Sequence, residues 1–172
     1  MTDRAAAATR VLGIDPGLHR TGYACVELLD GEAEPALVEA GVLRLRSDAS
    51  LAFRLRQLHE DIVGLLDELQ PACMTVESLF VHREYARTAI LMGHARGVVL
   101  LAGESRGVRI DEIPPASVKK AMTGRGRATK LQVQLAVMGQ CGLSLPPSPS
   151  DVADAIAIAL TGARRIASRL GE

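Results

Sequence analysis

The order of apolar segments along the chain constrains its fold more than any other feature. Segments with strand character come first, at residues 10–17 (closed by a Pro-Gly turn), 21–29 and 36–46. Helical and extended segments then alternate: a helix at 51–70, a strand at 72–77, a helix at 84–105, a strand at 108–113, and helices near 115–122, at 129–141 and at 151–169. Consecutive strands favour an antiparallel meander, and strands joined by helices favour parallel crossovers. The sequence therefore predicts an α/β fold with a five-stranded mixed sheet: strands 1–3 form the meander, strands 4 and 5 are parallel, and helices cover both faces.

Cysteine usage and hydropathy exclude several classes of protein. The 172 residues suit one domain. Three cysteines lie far apart and form no C-x-x-C pair, so neither a zinc site nor a disulfide framework is indicated. The first ten residues are too short and too charged for a secretion signal, and charged residues or glycine interrupt the apolar stretches. We expect a cytoplasmic protein with no membrane contact.

Charge is distributed unevenly although the formal net charge is zero. Residues 1–86 hold 14 acidic and 8 basic residues, whereas residues 87–172 hold 6 and 12. A basic cluster without any acid contains Lys119, Lys120, Arg125, Arg127 and Lys130. Such a cluster is typical of a surface that binds nucleic-acid phosphates. A solvated basic loop would give the same composition, so this pattern alone does not decide between the two interpretations.

Two carboxylates end predicted strands. Asp15 closes the first strand directly before Pro16-Gly17, and Glu77 closes the fourth. Ligand sites in open α/β sheets lie outside the carboxyl ends of the strands. If strands one and four are parallel neighbours, the two acids meet at one edge. Taken alone, either residue is more simply explained as a charged residue that ends a strand.

The last helix contributes two more acids. Asp151 and Asp154 are three residues apart and so share a face of a helix that continues A-I-A-I-A-L and must be buried. A helix N-terminus stabilises Asp151, but Asp154 lies a turn further in, beside a like charge. A divalent cation between them would remove that repulsion.

Four carboxylates from three separate segments, with no His/Cys cluster, favour a hard cation such as Mg²⁺ or Mn²⁺. Two such ions can clamp the attacking water and the leaving oxygen of a phosphoryl displacement. Asp15 is the natural bridging ligand, and the basic cluster would hold the flanking phosphates. The pattern predicts a metal-dependent nuclease.

A series of motifs resembles the RuvC family of Holliday junction resolvases over about residues 10–165. The motifs are G-I-D-P-G with T-G-Y, V-E-S-L-F, M-G-H-A-R-G, S-V-K-K, T-K-L-Q-V-Q and D-V-A-D-A-I-A-I-A. The resemblance implies an RNase H-like fold and a crossover junction endodeoxyribonuclease that acts in homologous recombination and DNA repair. It also implies paired symmetric nicks by a homodimer with Mg²⁺, two ions per active site and Mn²⁺ as the alternative, together with the RuvA–RuvB branch-migration complex.

The resemblance also assigns residues. Asp15, Glu77, Asp151 and Asp154 match its catalytic acids, Lys119 and Lys130 match its basic residues near the active site, and Phe80 matches an aromatic that disturbs base stacking at the junction centre. Residues 1–9 have no counterpart in the family, and we expect them to be a disordered extension before a nuclease domain at 10–172.

Two other hypotheses remain open from the residues alone. An actin-like phosphotransferase also begins with a strand that ends in an aspartate and glycines, but this chain lacks a second glycine-rich phosphate loop and the length for two lobes. A related nuclease for RNA or unbranched DNA would share the carboxylates.

Gly93 and Gly97 would let a helix pack closely, either within one chain or across a two-fold axis.

Overall fold

A computed structural model of the chain describes residues 8–32, 34–79 and 86–170. The elements are β1 (Ala8–Asp15), β2 (Arg20–Leu29), β3 (Ala36–Arg44), α1 (Leu51–Leu69), β4 (Cys73–Glu77), α2 (Ala86–Ser105), β5 (Arg109–Ile113), α3 (Pro115–Thr123), α4 (Lys130–Gln140) and α5 (Ser150–Leu170). Their types and order are those predicted.

The strands form one sheet in the order β3-β2-β1-β4-β5. β1 pairs antiparallel with β2, and β2 pairs antiparallel with β3. β4 lies parallel to β1 on one side and parallel to β5 on the other. The predicted mixed sheet, with its meander and its two parallel strands, is confirmed.

Helices cover both faces of the sheet because alternate residues of each strand supply two separate cores. Val11, Ala24 and Val26 face a core that α3, α4 and α5 complete. Leu12, Ile14 and Met74 face the opposite core, which α1 and α2 complete. This two-layer covering is also confirmed. Of the described helices, none combines the length and the apolar character needed to cross a bilayer.

Helix α5 lies unusually close to the sheet because glycine and alanine meet at the contact. A Cβ on Gly13 of β1 would lie 2.4 Å from the backbone nitrogen of Ala159, and one on Gly162 would lie 2.2 Å from Oγ1 of Thr75. No larger side chain fits there. The small residues therefore set how deeply this helix sits over β1 and β4.

Element bounds differ slightly from those predicted. Ala8 and Thr9, assigned to the extension, pair with Leu29 and Leu28, so β1 begins two residues earlier. The third strand ends at Arg44, two residues earlier than predicted; the next residue, Leu45, is buried, and its N–H donates to the carbonyl of His19. Residues 1–7, Phe80 and the predicted first two residues of the second helix lie outside the described residues.

Candidate active site at the edge of the sheet

Asp15 and Glu77 lie side by side because β1 and β4 are parallel neighbours that end together. Ile14 is paired with Val76, and each acid follows directly. Both side chains are on the face that α5 covers, since side chains alternate along a strand and Gly13 and Thr75 contact that helix. The expected meeting of these two acids at one edge is found.

The first turn of α5 reaches the same edge through Gly22. Asp15 is paired with Gly22 on β2. A Cβ on Gly22 would lie 2.1 Å from the carbonyl oxygen of Asp151, so only glycine admits the helix here. Asp154 lies one turn further along α5 and projects into a cavity beside Asp15 and Glu77.

This cavity has a volume of about 250 Å³. Its lining combines three of the acids with two lysines and a few apolar side chains: Asp15, Glu77, Pro115, Val118, Lys119, Lys130, Val133, Asp154 and Ala157. Asp151 does not line it, but it is close enough for its charge to raise the pKa of Asp15. The polar groups thus converge on a space that could hold a phosphate group.

Mutual repulsion and burial perturb the acids. Burial is the largest cause that raises the pKa of Asp15 from 3.8 to about 7, and the negative charges of Asp154, Glu77 and Asp151 contribute to that rise in decreasing order. Burial also raises the pKa of Glu77, with a smaller contribution from Asp154. The site is therefore short of positive charge, as expected of carboxylates that share a cation.

Two lysines supply part of the missing charge. Thr129 caps α4 and places Lys130 at its first position, where Nζ lies 2.7 Å from Oδ2 of Asp154. Lys119 on α3 lines the same cavity. Both cations lower the pKa of Glu77, and Lys130 also lowers that of Asp15. Burial lowers the pKa of Lys130, but the hydrogen bond and the charge of Asp154 outweigh it and leave that pKa raised.

Asp151 is paired with the side chain of Arg20. Nε of Arg20, at the start of β2, lies 3.6 Å from Oδ2 of Asp151. With Asp151 and Asp154 engaged by these bases, no three His, Cys, Asp or Glu side chains of the described segments form a group that could hold a metal ion as they stand. Metal binding would therefore require carboxylates to turn away from their basic partners.

Two of the five residues of the predicted basic cluster line the acidic cavity. Lys119 and Lys130 lie in the acidic cavity, whereas Lys120, Arg125 and Arg127 do not line it. Lys120, Arg125 and Arg127 are exposed, and Arg125 lines a separate shallow depression with Thr123 and Gln132. Phe80 lies outside the described residues, so its predicted role stays a prediction.

The sequence analysis did not identify Arg96 of α2, whose side chain binds the backbone carbonyl of Glu77. Its Nε donates to the carbonyl oxygen of Glu77 at 3.2 Å, and its guanidinium is paired with Glu112 of β5. The side chain is only 14% exposed. Arg96 lies within the M-G-H-A-R-G motif, but no local pattern indicates a contact 19 residues away.

A mixed sheet that carries four carboxylates on its central strands and on the helix packed against them defines an RNase H-like nuclease site. The family model described as "Crossover junction endodeoxyribonuclease RuvC" matches residues 11–162. A protein of that name from Rhodopirellula baltica is 47% identical over 162 residues, covering 94% of this chain and 90% of its own. One from Desulforamulus reducens is 41% identical, with coverages of 90% and 93%. The chain belongs to the RuvC family.

Solved structures agree with this assignment. The structure of Thermus thermophilus RuvC in complex with a Holliday junction substrate is similar to the chain with a TM-score of 0.84 and 34% identity. The match covers 95% of this chain and 96% of that one. The predicted RNase H-like fold and the predicted family are both confirmed, and membership in a family of DNA-cleaving enzymes disfavours the actin-like phosphotransferase.

Proposed function

We propose that this chain resolves Holliday junctions by hydrolysing phosphodiester bonds in paired, symmetric nicks. The observation that carries the proposal is the convergence of Asp15, Glu77 and Asp154 with Lys119 and Lys130 in one cavity, with Asp151 close enough for its charge to act on Asp15. The likeness to a RuvC structure solved with a Holliday junction supports branched DNA as the substrate, in preference to RNA or unbranched DNA.

The donor set suits two Mg²⁺ ions per site, with Mn²⁺ as the alternative. All four donors are carboxylates, the ligands that hard divalent cations prefer. The raised pKa values of Asp15 and Glu77 indicate a surplus of negative charge that such ions would neutralise. Asp15, Glu77, Asp151 and Asp154 would hold the ions, which supply Lewis acidity toward the phosphate and lower the pKa of water.

The chain's own groups position the substrate for an in-line displacement. A water oxygen forms a bond to phosphorus and gives up a proton to solvent, while a bridging P–O bond breaks and the leaving oxygen takes up a proton from solvent. Lys119 and Lys130 stand beside the acids, where they can pair with phosphate oxygens and stabilise the charge that develops on them. Lys130 must leave Asp154 for this role, and a cation bound to that carboxylate would release it.

Cleavage of a synthetic four-way junction tests the proposal directly. We expect Mg²⁺-dependent nicks at symmetric positions in two opposing strands, and far less cutting of a linear duplex of the same sequence. Asp15→Asn should bind the junction but not nick it. A wild-type chain that binds junctions yet never nicks them with Mg²⁺ or Mn²⁺ would contradict the proposal.

Paired nicks require two active sites, and we place a second copy of the chain on the outer face of α2. Ile90, Gly97 and Leu101 lie on one stripe of this helix, and Ile90 and Leu101 are 62% and 59% exposed. Among the described residues, no other side chain lies within 4 Å of a Cβ built on Gly97. An exposed apolar stripe with a glycine at its centre suits close packing across a two-fold axis. Sedimentation should give a dimer for the wild type and a monomer for Ile90→Glu.

Three further expectations stand as proposals. The homodimer would act with the RuvA–RuvB branch-migration complex, and Phe80 would disturb stacking at the junction centre. We place its activity in the cytoplasm, as the three free cysteines at positions 25, 73 and 141 suit a reducing compartment.

A further inference from the structure

Two arginines stand directly opposite each other beside the acidic site. Arg20 begins β2, Arg44 ends β3, and the two are cross-strand partners. Facing residues of an antiparallel pair have Cβ atoms about 4.5–5.5 Å apart, and like charges there destabilise the sheet. Both residues are exposed. Arg44 makes no ion pair with any described residue, and Arg20 has only the 3.6 Å contact with Asp151.

The backbone holds this pair firmly. The N–H of Leu45 donates to the carbonyl of His19 at 3.1 Å, and Nε2 of Gln57 donates to the carbonyl of Arg44 at 3.1 Å. The end of the β2–β3 hairpin is thereby tied to itself and to α1. The two guanidinium groups therefore project from a fixed platform, so the repulsion between them cannot be relieved by fraying of the strands.

The pair lies on the same face and edge of the sheet as the acids. Arg20 is two residues from Gly22, the partner of Asp15, and so shares the side of the sheet that α5 covers. Along the edge, the strand order gives Arg44, Arg20, Asp15 and Glu77, followed by α3 with Lys119. The acids therefore have basic residues on both sides.

We propose that Arg20 and Arg44 form a second phosphate-binding site, which holds the substrate strand on the opposite side of the acids from Lys119 and Lys130. The inference rests on the proposed function, because it takes DNA as the ligand. β1 and β3 are two strand spacings apart, roughly 10 Å. The pair would thus contact the substrate strand within a few nucleotides of the bond that is cut.

Salt dependence of junction binding tests this site without any cleavage. Binding of a labelled four-way junction is measured in chelator across KCl concentrations for the wild type, Arg20→Gln, Arg44→Gln and the double variant. Each lost phosphate contact should reduce the slope of log K against log salt by about 0.9. The binding deficit of the double variant should therefore shrink roughly 12-fold between about 50 and 200 mM salt. Arg109→Gln is the matched control, because Arg109 is exposed and begins β5, at the edge of the sheet opposite the acids.

A second arm locates the contact on the DNA. Neutral methylphosphonates are introduced one at a time within about five nucleotides of the cut site. Each arginine is taken to contact one phosphate. At either contacted phosphate, a methylphosphonate should cost the wild type affinity and cost the double variant little more, because the phosphonate and the substitution remove the same interaction. A double variant with the slope and affinity of Arg109→Gln would overturn the proposal, as would a phosphonate scan that is identical in both proteins.

The outcome is distinguishable from failure of the proposed function. If the wild type never nicks the junction, the resolvase proposal fails, while the binding slopes still decide the phosphate site. If the wild type nicks and Arg44→Gln keeps the wild-type slope, the phosphate site fails alone. Arg44→Gln is decisive here, because Arg44 contacts no acid of the site and its loss leaves the carboxylates unchanged.

Discussion

Gly22→Ala adds one methyl group at the point where α5 meets the sheet. That carbon would lie 2.1 Å from the carbonyl oxygen of Asp151 and 3.3 Å from Cβ of Ala155. Ordinary van der Waals contact needs about 3.4 Å, so the first turn of α5 must retreat by roughly 1.3 Å. Asp151 and Asp154 move with that turn. Misplacement by about 1 Å can reduce a rate about 100-fold.

The expected result is a loss of catalysis larger than the loss of stability. Overpacking of this kind costs about 1–3 kcal/mol, and each kcal/mol lowers the melting temperature by about 2–4 °C in a chain of this size. Single-turnover nicking of a four-way junction, measured well below the melting temperature, should fall about 100-fold. Junction binding in chelator should change little, because the lysines and arginines stay in place.

Gly64→Ala is the matched control, because Gly64 lies in α1 and no other side chain of the described segments is within 4 Å of an added Cβ. It should leave nicking unchanged and stabilise the helix by up to about 1 kcal/mol. Gly22→Ala with wild-type nicking and melting would refute the argument that this glycine sets the position of the two acids. A variant that loses binding in proportion to nicking would also refute it.

Two further predictions concern the acids and their support. The pKa of Asp15 is about 7 in the folded chain against 3.8 ordinarily, so the folded state keeps a proton that the unfolded chain releases. Stability of the metal-free protein should therefore fall as pH rises from about 4 to about 7. In thermal melts, Asp15→Asn should show a weaker decline over this range. Added Mg²⁺ should restore the stability of the wild type at pH 8. A pH profile identical in both proteins would contradict this. Arg96→Met removes the donor to the Glu77 carbonyl and leaves Glu112 unpaired. The Mg²⁺ concentration for half-maximal nicking should therefore rise about tenfold, while junction binding is retained. An unchanged Mg²⁺ requirement would show that Arg96 does not position Glu77.

Local patterns in the sequence were sufficient to predict the order and type of the elements. Apolar periodicity separates strands from helices, and the connection rules turn their order into a topology. The meeting of Asp15 and Glu77 followed from that topology, because parallel neighbours end at the same edge. Asp154 was identified because a second acid inside a buried helix demands a partner, and Lys130 at 2.7 Å is one such partner.

Contacts between distant residues were beyond such reasoning. The contacts of Arg20 with Asp151 and of Arg96 with Glu77 depend on side chains from separate elements, and nothing nearby in the sequence indicates either. Conversely, the basic cluster shows that residues close in sequence need not share a site. Five basic residues are close in sequence, but the turn between α3 and α4 brings only Lys119 and Lys130 into the acidic cavity.

Helix α5 has a consequence for how this enzyme can vary. Its alanines at positions 153, 155, 157 and 159 are fully buried, and the first turn of the same helix carries Asp151 and Asp154. Enlarging any of these small side chains would tilt or lift the helix and carry the acids with it. Inactive variants should therefore arise from changes at the hydrophobic centre of the molecule, in residues that never touch DNA.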